Sequence, residues 1–307
     1  MSDSMTVFNR ANVRRHRDRS AADFDGHDFL FLESADRLLD RLDDVKRAFP
    51  WALDLGCHTG QLGRSLKGRG GIEALVQCDL APRMAVEADN SRGLGLAADE
   101  EALPFGPEAF DLILSNLSLH WVNDLPGALL QARMALKPDG LFLAAMLGGD
   151  TLHELRQALS EAEIAEEGGL SPRVSPMADV RDLGSLLQRA GFALPVVDAD
   201  TVTVMYDAPL KLMADLRAMG ESNAVFEARK GMTRKATLMA AVKRYQDVFA
   251  DEDGKIPATF QIITMTGWAP DASQQQPLKP GSAEARLAEA LGTQEKPLEE
   301  KAKPGLG

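Results

Sequence analysis

The sequence predicts an α/β protein in which helices cover both faces of a doubly wound, mostly parallel sheet. Between residues 51 and 146, short apolar segments alternate with helical patterns in five successive strand units, as expected of βαβ connectivity. The apolar segments are continuous runs, which is typical of strands that are buried on both faces. Glycine and proline separate the segments, and these residues favour turns. In such a sheet, ligands bind at the carboxyl ends of the strands.

The five strands of this first half are predicted from short apolar runs. They cover Trp51–Leu55, Leu75–Cys78, Leu94–Ala98, Phe110–Ser115 and Leu141–Met146. A helix over Phe29–Phe49 precedes them, because apolar residues recur there at helical spacing and Pro50 ends the pattern. The helices between the strands are predicted near Leu62–Lys67, Met84–Asn90 and Leu125–Leu136.

After Asp150 the alternation changes to longer helices with two β-branched strands. The predicted helices are Thr151–Glu166, Asp179–Ala190, Leu210–Met219 and Lys235–Phe249. The strands Val196–Met205 and Thr259–Thr266 would complete a seven-stranded sheet. This pattern predicts three regions: a basic, helical segment (1–47), an α/β domain (48–268) with helical insertions at 150–190 and 207–255, and a flexible tail (269–307).

Composition excludes several classes of protein. The 307 residues carry 34 basic and 46 acidic side chains, a net charge of −12, which argues against a nucleic-acid binder because phosphates need Lys and Arg. The longest apolar run, Leu141–Leu147, is far shorter than the ~20 residues of a membrane span. Two cysteines make no disulfide framework. Acidic residues among the arginines of the first 28 positions argue against a transit peptide, so we predict a cytoplasmic protein.

A glycine turn between Leu53 and Gly63 is the most informative segment. A buried strand ends in Asp54, Gly56 and Gly60 follow, and a helix begins. Glycines allow close approach of the backbone to a ligand, and the start of a helix offers unpaired N–H donors. The middle glycine of the dinucleotide pattern G-x-G-x-x-G is missing. Asp54 is poorly placed beside a pyrophosphate and suits a cationic amino acid, which favours S-adenosylmethionine over NAD.

Two further acids end the next two strands. Asp79 stands at the distance expected for a carboxylate that accepts both ribose hydroxyls. Asp99 follows the third strand and could accept the adenine amino group, with the apolar loop Leu103-Pro104-Phe105 beside the ring. Each acid could equally be a solvent-facing residue at the end of a strand. Their order after the glycine turn favours a binding site for an adenosyl group.

These motifs resemble those of class I S-adenosylmethionine-dependent methyltransferases. The resemblance includes Asp54-Leu55-Gly56, Gly60, Asp79, Asp99 and the strand Phe110–Asn116. It implies a Rossmann-like fold and S-adenosylmethionine as the cofactor, bound through the residues Asp54, Gly56, Gly60, Asp79, Asp99 and Asn116. His58 stands where the family usually has its middle glycine, so its side chain must point away from the cofactor or reshape the pocket.

A narrower resemblance covers most of the chain. It includes the segments Leu117–Pro126, Gly148–Leu152, Glu167–Gly169, Met219–Asn223 and Pro257–Ile262. These segments are similar to those of the mitochondrial complex I assembly factor 5 group and its bacterial relatives, which in turn resemble the malonyl-carrier-protein methyltransferase of biotin synthesis. This resemblance implies a role in complex I assembly, either as an enzyme or as a chaperone. The enzyme could be a methyltransferase, a protein-arginine hydroxylase or a malonyl-carrier-protein O-methyltransferase.

His120 and Asp150 are the candidate catalytic residues. His120 follows the fourth strand, where an acceptor would lie, and its ordinary pKa suits a general base; it could instead shape the pocket. Asp150 follows the fifth strand and could orient a cationic substrate or cap a helix. The histidines show no metal-ligand spacing, so no metal is predicted. A protein substrate or an acyl carrier protein is a possible partner, and oligomeric state is left open.

The N-terminal arginines are predicted to lie on a solvated helix. Arg10 or Arg14 could also cover the carboxylate of the cofactor, or bind an acidic partner such as a carrier protein. The basic positions are Arg10, Arg14, Arg15, Arg17 and Arg19.

Overall fold

The structure is a computed structural model that describes residues 6–275 and 287–293. Residues up to Asp271 belong to one compact unit, and residues from Ala272 onward belong to a second. The described part of the second unit contains the short helix α10 (Leu287–Ala290). Most of the predicted flexible tail, 269–307, lies outside the described residues.

A seven-stranded sheet forms the centre of the first unit, as predicted. Its strands are β1 (Trp51–Leu55), β2 (Ala74–Asp79), β3 (Leu94–Ala97), β4 (Phe110–Asn116), β5 (Leu136–Leu147), β6 (Ala193–Tyr206) and β7 (Ile256–Trp268). The strand order is β3-β2-β1-β4-β5-β7-β6. The first five strands are parallel, and β7 is antiparallel to β5 and β6. The carboxyl ends of the five parallel strands therefore meet at one edge.

Helices connect the strands and cover them. They are α1 (Arg10–Ser20), α2 (Phe29–Asp43), α3 (Gln61–Ser65), α4 (Pro82–Arg92), α5 (Leu125–Ala135), α6 (His153–Glu167), α7 (Val180–Arg189), α8 (Pro209–Ala218) and α9 (Lys235–Phe249). Proline occupies the first turn of α4, α5 and α8, where its missing N–H costs no hydrogen bond. The side chain of Asp124 caps α5 by accepting from the Gly127 N–H.

The hydrophobic core lies on both faces of the sheet. Leu112 and Leu114 of β4 pack on the face covered by α2, α6, α8 and α9. Ile113, between them, packs on the opposite face against α5 and α7. Because successive side chains of a strand point to opposite faces, one continuous apolar strand supplies both cores. This is the arrangement that the continuous apolar runs predicted.

Several elements differ from the predicted bounds, among them α2, β5, β6 and β7. Strand β5 begins at Leu136 rather than at Leu141. Helix α2 ends at Asp43 rather than at Phe49, because residues before Pro50 leave the helix and the Phe49 N–H donates to the Gly70 carbonyl. Strands β6 and β7 are longer than predicted at both ends, since they pair with each other along most of their length. The added residues include Pro195 of β6 and Pro257 and Gly267 of β7. Proline and glycine interrupt a strand pattern, so the predicted strands ended before them.

Candidate functional site

The glycine turn joins β1 to α3 at the carboxyl edge of the sheet. Gly56 and Gly60 have positive φ angles of 73° and 88°, which glycine adopts without the steric cost of a Cβ. The backbone N–H groups of Gly56 and Cys57 both donate to the Cys78 carbonyl, at 2.8 and 2.9 Å. The turn is thus fixed onto the end of β2, and Asp54 lies completely buried beneath it.

The predicted ribose carboxylate, Asp79, lies against this turn. Its Oδ2 accepts the backbone N–H of His58 at 3.1 Å, and its Oδ1 accepts that of Ala81 at 2.8 Å. Asp99, the predicted adenine residue, follows β3 and is 35% exposed. We call the glycine turn together with Asp54, Asp79 and Asp99 the cofactor groove.

Helix α1 places two arginines on the acids of the cofactor groove. The guanidinium of Arg17 donates to Asp79 Oδ2 at 3.2 Å, to Glu100 Oε1 at 3.3 Å and to Ser118 Oγ at 2.9 Å. Arg10 bonds Asp99 at 2.6 Å and also pairs with Glu100. Arg17 is only 1% exposed. The predicted helix is therefore present, and Arg14, Arg15 and Arg19 are exposed as predicted. The prediction is wrong for Arg10 and Arg17, because acids of the sheet edge draw these two arginines inward.

Glu100 and Ser118 complete this network above the glycine turn. Ser118 Oγ donates to Glu100 Oε1 at 2.7 Å. Burial alone would raise the pKa of Glu100, but Arg10 and then Arg17 outweigh that effect and lower the pKa to about 2. Glu100 is therefore ionised throughout the physiological range and holds both guanidinium groups.

His58 is buried on the other side of the turn. Its ring stacks on Phe24 at 5.5 Å between centroids and meets the edge of Phe31 at 4.6 Å. Its Nε2 lies 3.2 Å from the Leu117 carbonyl. Burial and then the charge of Arg17 lower the pKa of His58 to about 3, so the ring is neutral and packs as an aromatic side chain.

The chemistry of the groove fits an adenosyl cofactor with a cationic amino acid. Both carboxylate oxygens of Asp54 are buried without a hydrogen-bond partner among the described residues, and an ammonium group would supply donors. The room for a cofactor beside Gly56 is limited, however. A Cβ on Gly56 would lie 2.0 Å from Ser118 Oγ and 3.3 Å from Glu100 Oε1, so these two side chains occupy the region above the turn. The residues can thus hold the cofactor, but in this conformation the protein's own side chains lie over Gly56 and on Asp79.

The remaining predicted site residues lie in different surroundings. Asn116 ends β4 and donates from Nδ2 to the Phe31 carbonyl at 2.9 Å. His120 is buried, with Nε2 3.0 Å from Glu221 Oε2. Asp150 is exposed and accepts from Gln261 at 3.1 Å. It does not cap the following helix, since the N-cap position of α6 is Leu152.

A cavity of about 460 Å³ lies under the helical insertions, and we call it the roofed cavity. Its walls come from the end of β5, from α6, α8 and α9, and from the 219–233 segment. Most lining side chains are apolar, among them Leu155, Leu216 and Phe260. Among the described lining residues, Glu221 is the single acid, and Arg173, Arg217 and Arg229 are the basic groups. The volume lies in the range of small-ligand pockets.

Four functional side chains were missed at the sequence level. They are Arg17, Glu100, Ser118 and Glu221. Two features of the sequence could have indicated an internal ion-pair network. The run Asp99-Glu100-Glu101 carries two acids more than an adenine site needs, and the arginines near residue 10 could supply cations to pair with them. Nothing in the local sequence shows that these two segments meet, since Arg17 and Glu100 are 83 positions apart.

Comparison with known proteins defines the class. A family model described as a methyltransferase domain matches residues 53–144, which contain the glycine turn and all three groove carboxylates. The solved structure of the YcgJ protein from Bacillus subtilis has the same fold, with a TM-score of 0.53 and 14% identity over 76% of this chain and 99% of that chain. The protein therefore has the fold of S-adenosylmethionine-dependent methyltransferases, and this domain supports S-adenosylmethionine as its cofactor, as predicted.

Two curated relatives define the family. "Arginine-hydroxylase NDUFAF5, mitochondrial" from Danio rerio is 45% identical over 289 residues, covering 93% of this chain and 89% of the relative. A malonyl-[acyl-carrier protein] O-methyltransferase from Methylovorus sp. is 34% identical over 283 residues, covering 89% and 93%. The chain belongs to the NDUFAF5 family, and the carrier-protein methyltransferases are related to it. Both relatives are named as enzymes, which supports an enzymatic activity for this chain, but the two names describe different reactions.

The predicted cytoplasmic location is wrong, because the NDUFAF5 relatives are mitochondrial proteins by name. Three of the acids that argued against a transit peptide make hydrogen bonds within the fold. Asp18 accepts the Arg83 N–H at 3.1 Å, and Asp25 and Asp28 accept from the Gln61 side chain. Their presence reflects packing and carries no information about targeting.

Residues 6–275 and 287–293, which the structure describes, bear on membrane association and metal binding. None of the helices in these ranges is both long and apolar enough to cross a bilayer. No group of three or more His, Cys, Asp or Glu side chains in these ranges is arranged to hold a metal ion.

Proposed function

We propose that this protein is a protein-arginine hydroxylase that acts on a subunit of NADH dehydrogenase during complex I assembly. The 45% identity to a relative named as an arginine hydroxylase supports the proposal. One feature of the structure carries it: a buried carboxylate, that of Glu221, lies on the wall of the apolar roofed cavity.

The carboxylate of Glu221 is oriented by two neighbours. Its Oε2 accepts from the Trp121 indole at 2.9 Å and lies 3.0 Å from His120 Nε2. Within the described residues, hydrogen bonds reach only Oε2. Burial alone would raise the pKa of Glu221, but His120 and then Arg17 lower it, so Glu221 carries its charge at neutral pH.

An arginine side chain matches this arrangement. A guanidinium presents a planar set of N–H donors that suits a carboxylate, and its methylene stem can lie on leucine and phenylalanine side chains. The cavity's own Arg173 is held by Glu163 at 2.6 Å, and Arg229 is paired with Glu167. Those two cations have acids of their own, and the hydrogen bonds of the Glu221 carboxylate within the described residues come from His120 and Trp121, not from the third basic group, Arg217. Glu221 is therefore the acid of the described lining that can receive a substrate guanidinium.

The proposed reaction inserts one oxygen atom of dioxygen into a C–H bond of the arginine side chain. The second oxygen atom leaves as water, with two electrons and two protons from a reductant. Glu221 binds and orients the guanidinium, and His120 acts as a positioning residue that fixes Glu221. S-Adenosylmethionine, when bound, carries a methyl group on a reactive sulfonium, and the proposed hydroxylation takes no atom from it.

The test is the intact mass of the iron–sulfur subunits of NADH dehydrogenase, purified from cells that lack this protein. We expect one subunit to be 16 Da lighter than in wild-type cells. Wild-type protein should restore the mass, and so should the control Glu227→Gln, an exposed acid of the same segment. Glu221→Gln should not restore it. Identical subunit masses with and without the protein would contradict the proposal.

A second candidate is methyl transfer to a carrier-bound malonyl group. It is favoured by the 34% identity to carrier-protein methyltransferases and by the basic residues that line the roofed cavity. This function predicts that deletion causes a requirement for biotin. A role as an assembly chaperone predicts normal complex I levels in cells that carry Glu221→Gln.

A further inference from the structure

Helix α1 contacts the cofactor groove and, at the same time, a loop that lines the roofed cavity. On one side, Arg17 bonds Asp79, Glu100 and Ser118 in the groove. On the other side, α1 and the residues before it pack on residues 220–226, which we call the wall loop. The wall loop includes Glu221 and other residues that line the cavity.

The contacts between α1 and the wall loop are mostly hydrogen bonds to backbone groups. The Asn9 N–H donates to the Ala224 carbonyl at 2.8 Å, and the Phe226 N–H donates to the Val7 carbonyl at 2.7 Å. His16 Nδ1 lies 3.2 Å from the Ser222 carbonyl. A Cβ on Gly220 would lie 3.0 Å from Ser20 Oγ and 3.5 Å from Arg17 Cα. The wall loop is thus held in place by the segment that carries Arg17.

We propose that α1 is an autoinhibitory element that keeps the groove closed, and that cofactor binding displaces Arg17 and thereby releases both α1 and the wall loop. The docking of Arg17 on Asp79 and the binding of an adenosyl cofactor in the groove exclude each other. Release of the wall loop then gives a protein substrate access to the roofed cavity.

Arg17 and the cofactor exclude each other because the acid that both would contact is buried. Asp79 and Glu100 are both 0% exposed, so no ribose hydroxyl reaches Asp79 while Arg17 covers it. The space over Gly56 is filled by Ser118 and Glu100, and the same guanidinium holds both of those side chains. When Arg17 leaves, two buried acids lose a cation, and cofactor hydroxyl groups supply donors to Asp79 in its place.

The coupling must be reciprocal. If the cofactor favours the released state of the wall loop, a substrate that binds the open cavity favours cofactor binding by the same factor. The inference does not depend on whether the reaction is hydroxylation or methyl transfer, since it concerns access to the two sites.

Hydrogen–deuterium exchange of the wild-type protein tests the inference, with S-adenosylhomocysteine as an unreactive probe. We expect faster exchange in peptides of residues 10–20 and 220–226 when the probe is present. Peptides of β6 and β7 should exchange at unchanged rates and serve as the internal control. Slower exchange of residues 10–20 would overturn the inference, because α1 would then cover the bound probe instead of leaving.

Single substitutions of arginines on α1 test whether the contact of Arg17 with the groove, rather than the number of arginines on the helix, controls cofactor affinity. Arg17→Ala should bind S-adenosylhomocysteine at least tenfold more tightly than wild type in calorimetry. Arg15→Ala is the matched control: Arg15 lies on the same helix, is exposed and donates to Asn12 of that segment at 3.0 Å, so its affinity should equal that of wild type. Arg10→Ala, which frees Asp99 and leaves Arg17 in place, should show a smaller gain.

The outcomes are decisive even if Arg17→Ala fails to fold, because the exchange experiment uses wild-type protein and Arg10→Ala gives a second measure of affinity. Equal affinity of wild type and the folded variants would overturn the inference. A lack of binding at millimolar probe in wild type and in every folded variant would also overturn it. Loss of the 16 Da modification alone would bear only on the proposed function.

Discussion

The cofactor groove and the roofed cavity differ in how their polar groups are satisfied. In the groove, Asp79 and Glu100 are matched by Arg17 from the same chain, and side chains fill the space above Gly56. In the roofed cavity, about 460 Å³ remains between mostly apolar walls. The groove is therefore packed and charged, whereas the cavity keeps unfilled volume between mostly apolar walls.

This difference shows how one fold can treat two binding sites differently. The groove meets the energetic demand of buried charges with an internal ion pair, so a ligand must replace a partner that is already bound. Among the described residues that line the cavity, Glu221 is the single acid, and its carboxylate is bonded by His120 and Trp121 rather than by an arginine, so a cationic ligand needs to displace no internal guanidinium. Substitutions of the same type in the two regions should therefore have different effects.

The largest effect is expected for Gly56→Ala in the groove. The new Cβ would lie 2.0 Å from Ser118 Oγ, at a φ of +73°, so steric overlap and backbone strain add together. We expect a loss of about 2–5 kcal/mol in the free energy of unfolding, measured by urea denaturation. The control is Gly106→Ala, where nothing lies within 4 Å of the added Cβ. A loss under about 1 kcal/mol would show that the groove is loosely packed.

The next effect concerns pH and the buried acid beneath the turn. Burial and then the charge of Asp79 raise the pKa of Asp54 to about 8. In the unfolded chain the group titrates near 3.8, so the unfolded state releases its proton first and stability falls as pH rises from about 4 to about 8. The slope approaches about 1.4 kcal/mol per pH unit for one group.

Asp54→Asn should remove this dependence. Thermal unfolding should show the variant gaining stability over wild type as pH increases from 5 to 8. Asp36→Asn, at an exposed position on α2, is the matched control and should keep the wild-type pH profile. If Asp54→Asn and wild type lost stability in parallel over this range, the buried acid would not be the cause.

The smallest effect comes from a matched pair of serine substitutions. Ser118 Oγ in the groove bonds both Glu100 and Arg17, so Ser118→Ala should cost about 1–3 kcal/mol because two charged groups lose a partner. Ser175 lines the roofed cavity, and its buried Oγ has no partner among the described residues. Ser175→Ala should be neutral or slightly stabilising. Equal losses from the two substitutions would remove the distinction between the regions.

Much of the fold and part of the groove could be predicted from local sequence. The apolar runs predicted the five parallel strands because each strand buries both faces, and the glycine turn was evident because only a few residues define it. Glu221 was harder to identify, since its neighbours Gly220 and Ser222 indicate a loop and nothing more. Its role depends on contacts with His120 and Trp121, about 100 positions earlier.

The sequence by itself determined that a mostly parallel sheet forms, the order of strands and helices along the chain, and the glycine turn with the carboxylates that follow it. These features depend on side-chain periodicity and on short-range backbone geometry, which a few neighbouring residues set. Only the tertiary structure decided that Arg17 lies on Asp79 and Glu100, and that Glu221 lines a cavity. Those contacts join segments far apart in the chain, and their free energy depends on burial, which exists only once the chain has folded.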